Sequence, residues 1–209
     1  MAETVFATKG NLMTVKNSLK LSTQGYELLD KKRTILINEM MRLIKVADKI
    51  QSQIDSTFTK AYQALQKANV VEGISMVRQI SQAIPVDNSI SIRFRSVMGV
   101  EIPEISYKEQ HISPTYGFMG VVIALDEAYV HFEQVRRLTL QLAEIETAVY
   151  RLAVNIKKTQ KRANALKNMI IPRYETIVHD ITNVLEEKDR EEFTRLKVIK
   201  KQKGGSHVG

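Results

Sequence analysis

The chain contains no cysteine and no tryptophan. Without cysteine it builds neither a disulfide framework nor a thiolate metal site, and a reducing compartment is the natural expectation. Only nine glycines and four prolines interrupt 209 residues, which suits long unbroken elements. No apolar run approaches the ~18 residues that a membrane span needs, so no direct membrane span is expected. The opening "MAETVFATKGNL" lacks the charged-then-apolar pattern of a signal peptide. The phosphate-loop, zinc-protease and nucleophile-elbow patterns GxxxxGK[ST], HExxH and GxSxG are missing. His111, His131, His179 and His207 are scattered without metal-ligand spacing. Asp126–Glu127 reads as a solvated helix face, and His131 as a seam residue. The expectation is a chain with no catalytic site, no metal and no cofactor, which on its own binds no ATP.

What is present is basic charge and helical periodicity. The formal net charge is +8 and the pI about 9.6, a balance that favours acidic partners. From Leu12, alternate steps of three and four residues reach Val15, Leu19, Ser22, Tyr26, Leu29, Arg33, Leu36, Met40, Leu43, Ala47, Ile50, Ile54, Thr57, Ala61, Ala64 and Ala68. Fourteen of these seventeen are apolar, where the composition alone gives about seven or eight, so the pattern is a sustained heptad seam. Such a helix is roughly 85 Å long. A second seam runs through Ala124, Ala128, His131, Val135, Leu138, Leu142, Ile145, Val149, Leu152, Ile156, Thr159, Ala163, Leu166 and Ile170. Beyond Ile170 the series continues as Tyr174, Ile177, Ile181 and Leu185, a slip of one residue. Pro172 sits at the slip, and an interior proline predicts a bend there. This helix is expected from about Gly117 to Lys200. The polar seam residues Ser22, Arg33, Thr57 and Thr159 are expected to set register.

Between the seams, "SISIRFRSVMGVEIPEI" alternates apolar and polar residues around Met98–Gly99, a strand-turn-strand signal. The expected fold is therefore dominated by α-helix. It is a long antiparallel two-helix left-handed coiled coil, with a short β-hairpin insert at the end opposite the termini. The divisions are an N-terminal long helix (1–83), a hairpin and loop insert (84–116), a C-terminal long helix (117–203) and a flexible tail (204–209). The hairpin is expected to turn the chain and cover the apolar helix ends, with Arg93, Arg95, Met98, Gly99 and Glu101 as its exposed features.

The seam widens toward the insert. Beside it, the row Lys16, Thr23, Asp30, Ile37, Ile44, Gln51, Phe58 and Leu65 becomes mostly apolar after Asp30, and on the second helix the matching row Leu125, Phe132, Thr139, Glu146, Ala153, Gln160 and Lys167 is apolar at the end near the strands. A two-stranded coil needs only a narrow stripe, so the extra surface is buried against something else. Either the insert folds back onto it or a separate protein covers it. At the other extreme, Glu186 and Glu187 precede Arg190, and Glu191 and Glu192 precede Arg195, at spacings that support an isolated helix. Lys197, Lys200, Lys201 and Lys203 then form a basic end. These charges are not interleaved with aromatics, and acidic residues directly precede them, so no nucleic acid is expected as a partner.

Three stretches of the chain resemble one known family. They are "TKGNLMTVKNSLKLSTQGYELLDKKRTIL", with a Gly-x-x-Leu-Leu-x-x-Lys-Arg core from Gly25 to Arg33; "SVMGVEIP"; and "KKTQKRANALKNMIIPRYETIVHDITNVLEEKDREEFTRLKVIK", with Arg-x-Asn-Ala-Leu at Arg162 to Leu166, Pro172, and Arg-Glu-Glu-Phe-x-Arg-Leu-Lys from Arg190 to Lys197. Together they are similar to the D subunit of the vacuolar and archaeal-type rotary ATPases, across nearly the whole chain. Where that family often has Asn-Pro before Thr-Lys, this chain has Phe6–Ala7.

The resemblance implies a non-catalytic central shaft, peripheral to the membrane and cytoplasmic. It carries torque between a hexameric ATP-hydrolysing or synthesising head and a membrane ring that moves protons or sodium. It implies as partners the catalytic and non-catalytic head proteins (the A and B subunits), a small stalk protein (the F subunit) and a membrane-ring adaptor. On that reading the head-contact tip comprises Lys9, Leu12, Lys16, Arg190, Phe193, Arg195, Leu196, Lys197, Lys200 and Lys201. The F subunit contacts Ile37, Ile44, Phe58, Leu65, Leu125 and Phe132. The rival expectation is a non-rotary coiled-coil scaffold or tether.

Overall fold

The computed structural model describes residues 6–84, 89–107 and 123–205. Its elements are α1 (Lys9–Glu72), α2 (Ile74–Ala83), β1 (Ile90–Val97), β2 (Val100–Tyr107), α3 (Ile123–Ala165), a π-helical turn (Leu166–Ile170) and α4 (Ile171–Gly205). The expected divisions touch residues 85–88, 108–122 and 206–209, which lie outside the described residues, as do His111 and His207. The fold is helical, with long helices pairing antiparallel and one two-stranded antiparallel hairpin. The chain forms two compact units: residues up to Arg33 with those from Lys158 onward, and Thr34–Lys157.

In the first unit, residue numbers rise along α1 as they fall along the opposing helix. Lys9 lies 3.9 Å from Asp189, Gly25 faces Leu166, the Lys167 ammonium stands 5.8 Å from the centre of the Tyr26 ring, and Arg33 Nη1 donates to Gln160 Oε1 at 2.6 Å. Val15, Thr159, Ala163 and Ile181 are buried, all on the seam spacing except Ile181, which follows the one-residue slip.

The slip has a structural cause. At Leu166–Ile170 the helix takes one wide turn, in which the Ile171 N–H donates to the Leu166 carbonyl five residues back. A π turn of this kind adds one residue without disturbing the faces on either side. It ends just before Pro172, whose missing N–H and bulky ring disfavour a regular turn. Deleting exposed Met169 together with Pro172→Ala is expected to restore a regular helix and keep Tyr174, Ile177 and Ile181 on the seam. Thermal melting should then move by no more than about 3 °C. Deleting Val149, by contrast, rotates all that follows by ~100° and should unfold the chain near room temperature. Equal melting of the two deletions would refute the register explanation.

In the second unit, Leu36, Leu43, Ile50 and Ile54 of α1 form one core with Ile145, Ala148 and Leu152 of α3 and with Val100 and Ile102 of β2. A smaller core joins Ala68 of α1, Val77 and Ile80 of α2, and Leu125 of α3. Two expectations are corrected here. The hairpin does not cap the helix ends: it lies against the middle of α1, because Val100 and Ile102 supply the apolar cover that the widened seam there requires. The helix end is covered instead by α2, and the N-terminal helix is two helices. Gly73 divides them with φ +83°, ψ 145°, a conformation open essentially only to glycine, which turns α2 so that Val77 and Ile80 face Ala68.

The hairpin closes as the alternation predicts. β1 and β2 pair in a register from Ile90↔Tyr107 to Val97↔Val100, with Met98 (φ 51°) and Gly99 (φ 75°) between them. Two positive φ values make a type I′ turn, whose twist matches that of the strands.

Candidate functional site

Three surfaces follow from this arrangement. The first belongs to the first unit. From Thr182 to Gln202 no residue of α4 is buried, and residues 186–202 are all exposed. Asp189 still reaches Lys9, where α1 begins; beyond that every residue through Gln202 is exposed. Its own side chains support it: Arg190 pairs with Glu186 at 3.6 Å and Arg195 with Glu191 at 3.8 Å, the spacing expected from the sequence. This bare helix presents Phe193 (69 % exposed) and Leu196 (59 %) among Arg190, Arg195, Lys197, Lys200 and Lys201. Lys9 and Lys16 are exposed, and Leu12 is half-buried.

Below that tip, two of the three stretches that carry the family resemblance pack on each other. Gly25, Tyr26 and Arg33 of one meet Leu166, Lys167 and Gln160 of the other. Arg33 also pairs with Asp30 at 2.8 Å, and Gln160 donates to Asn164. Of the polar seam residues, Arg33 bonds across the helix pair, to Gln160. Ser22 and Thr57 donate to their own helix backbone, at Ser18 and Gln53, and Thr159 is buried.

The second surface is the docked hairpin. Arg151 Nη1 donates to the Glu101 carbonyl at 3.2 Å, and its guanidinium lies 5.1 Å from the centre of the Phe94 ring. The Ile105 N–H donates to Glu144 Oε2 at 3.0 Å. Glu39 accepts two bonds from Arg42, at 2.9 and 2.6 Å, and lies 3.7 Å from Arg95 on β1. Arg93, Met98, Gly99 and Glu101 are exposed. Sequence reasoning singled out Arg93, Arg95 and Glu101 but missed Glu39, Glu144 and Arg151, which hold the hairpin in place.

The hydrogen bonds from Arg42 hold the Glu39 carboxyl below the usual carboxylate range; burial opposes this, and the charges of Arg42 and Arg95 reinforce it. A carboxylate depressed in the folded state stabilises fully above its unfolded pKa, and that contribution is lost as pH falls through the folded value. Glu39→Gln is therefore expected to remove part of the stability lost as pH falls through and below the ordinary glutamate range, with almost no change in the slope above that range. Urea melts across this range check it; an unchanged acid profile would contradict the assignment.

The third surface lies beside α2. A cavity of about 360 Å³ is lined by Leu65, Val77, Ile80, Ile84, Leu125, Ala128, Tyr129 and Phe132, with Glu133 and Arg136 among its polar residues. Phe132 meets Tyr62 edge-on, and Tyr62 stacks on Phe58. The widened seam is thus largely covered by the chain itself: Phe58 packs against the hairpin core, and Leu65 and Leu125 against α2. Ile37 and Ile44 are half-buried and belong to neither core. Asp126 and Glu127 are exposed, and His131 is half-buried. Among the described residues, no group of three or more His, Cys, Asp or Glu is placed to hold a metal, and no helix is long and apolar enough to cross a membrane.

Residues 11–201 match the family model for the D subunit of ATP synthase. The chain is 44% identical to the V-type ATP synthase D subunit of Thermotoga neapolitana, over 95% of this chain and 98% of the relative. It is 34% identical to the A-type ATP synthase D subunit of Methanosphaera stadtmanae, over 93% and 92%. It is also 34% identical to that of Haloquadratum walsbyi, over 96% and 88%. A helical pair with a bare basic end, a docked hairpin and a likeness spanning nearly the whole chain lead to one conclusion: the chain belongs to the ATP synthase D-subunit family of the V- and A-type enzymes.

Proposed function

We propose that the chain is the central rotor shaft of a V/A-type ATPase, a non-catalytic component that passes torque between the nucleotide-processing head and the membrane ring. The observation that carries this reading is the bare end of α4 in a family member built from paired helices. A paired helix resists bending and twisting. An axle also needs a segment that leaves its own partner to enter another body, and residues 186–202 are that segment. Its exposed Phe193 and Leu196 with Arg190, Arg195, Lys197, Lys200 and Lys201, and Lys9, Leu12 and Lys16 nearby, are assigned to the A and B subunits of the head. The cavity rim at Leu65 and Phe132, with Ile37 and Ile44, is assigned to the F subunit of the stalk; Phe58 and Leu125 act there by supporting the surface from within. The remaining partner is the membrane-ring adaptor.

A tagged copy taken from gently solubilised membranes is expected to bring down the A, B and F subunits and the adaptor in fixed ratio. A coiled-coil tether brings down none of the head. Recovery of the chain without the A and B subunits, from membranes that retain ATPase activity, would overturn the proposal.

A further inference from the structure

The two edges of the hairpin are not alike. A two-residue turn makes Val97 and Val100 a hydrogen-bonded pair, so on each strand alternate residues bond across the hairpin and the rest direct N–H and C=O outward. On β2 the outward positions are Glu101, Pro103, Ile105 and Tyr107, and the first three are dealt with. The Glu101 carbonyl accepts from Arg151, Pro103 has no N–H, and the Ile105 N–H goes to Glu144. On β1 the outward positions are Ile90, Ile92, Phe94 and Ser96, and none bonds elsewhere among the described residues. All of β1 is exposed except its last residue, which is half-buried. Open edges are normally blunted or covered.

The side chains say what fits that edge. Ile90, Ile92 and Phe94 share one face of the strand, with Phe94 58 % exposed. Arg93 and Arg95 share the other, and Arg93 has no ion pair among the described residues. We propose that β1 accepts an extended segment of a partner protein as a third strand, one that alternates aliphatic residues with carboxylates. The aliphatic side chains lie beside Ile92 and Phe94, the carboxylates beside Arg93 and Arg95, and main-chain bonds to Ile92 and Phe94 supply the affinity. A second copy of this chain is a poorer occupant, because it brings two more arginines to the same face and a net charge of +8 to the same contact.

Fluorescent eight-residue peptides of alternating valine and glutamate, or valine and lysine, are titrated onto the full chain and read by anisotropy. The glutamate peptide is expected to bind at least about tenfold more tightly than the lysine peptide. Arg93→Glu should invert that preference, which loss of structure alone does not do. Ile92→Pro removes one outward N–H and no bond to β2, and should weaken binding at least about tenfold. Slow hydrogen exchange at the Arg93 and Arg95 amides shows that the hairpin survives. The proposal is overturned if neither peptide binds, if both bind alike, if Arg93→Glu leaves the preference unchanged, or if β1 instead joins two copies of the chain.

Discussion

Leu152→Ala is expected to cost the hairpin-bearing unit about 2–5 kcal/mol and to lower its melting temperature by ~10 °C or more. Leu152 is 0 % exposed and belongs to one core with Leu36 of α1, itself 0 % exposed, and with Val100 and Ile102 of β2. Truncation leaves a void that none of them closes alone, since a paired helix on one side and a strand on the other are each fixed elsewhere. Tyr150, two residues away, is 71 % exposed, and Tyr150→Ala should stay within about 0.5 kcal/mol. Thermal melts of the pair separate core from surface on one turn of helix. If the two variants melt together, the hairpin is not seated where Leu152 places it.

The second large effect concerns the bare end of α4. Removing the residues after Arg195 is expected to weaken binding of the shaft, with its F-type stalk partner, to purified head at least about tenfold, because Leu196, Lys197, Lys200 and Lys201 leave together. Single changes such as Lys197→Ala should be mild, each exposed ion pair being worth only ~0–1 kcal/mol. A turning axle is served by contacts that change little with angle, and diffuse charge attraction is of that kind. Raising salt should therefore weaken the intact complex, as the screening length falls from ~10 Å at about 0.1 M to ~3 Å at about 1 M. If binding is independent of salt and the shortened chain binds as well as the full one, charge does not hold the tip. The apolar contacts of Leu12 and Phe193, which the shortened chain keeps, then remain, and Phe193→Ala should abolish what salt did not.

Much of this molecule was legible because helical periodicity is a strong signal over many turns. Leu36, Leu43, Ile50, Ile54, Ala61, Ala64 and Ala68, the buried residues of α1 in the second unit, all fall on the heptad seam. The Met98–Gly99 turn and the Glu186–Arg190 and Glu191–Arg195 pairs were equally local. The place of the hairpin was not, because the bonds that fix it span 39 residues (Ile105 to Glu144) and 50 residues (Glu101 to Arg151). The two glycines of the N-terminal segment show the same limit. Gly25 sits inside α1, where a Cβ would meet Leu166 at an ordinary 3.8 Å, while Gly73 breaks the helix with φ +83°. Nothing beside either glycine in the sequence separates the two; the core that α2 fills does. At Pro172 the one-residue slip was visible, but a wide turn and a simple bend leave the same sequence trace. At the tip, exposure of Phe193 and Leu196 was readable only once α1 was seen to begin at Lys9.

The central claim is that this chain turns inside a head that does the chemistry. Because it has no cysteine, a single cysteine at exposed Ser56 attaches a bead at one known point. With the head fixed to glass through its own proteins and ATP supplied, the account predicts that the bead rotates in one direction over many turns. A bead that stays still, or wanders without direction while the head hydrolyses ATP at its normal rate, would contradict it.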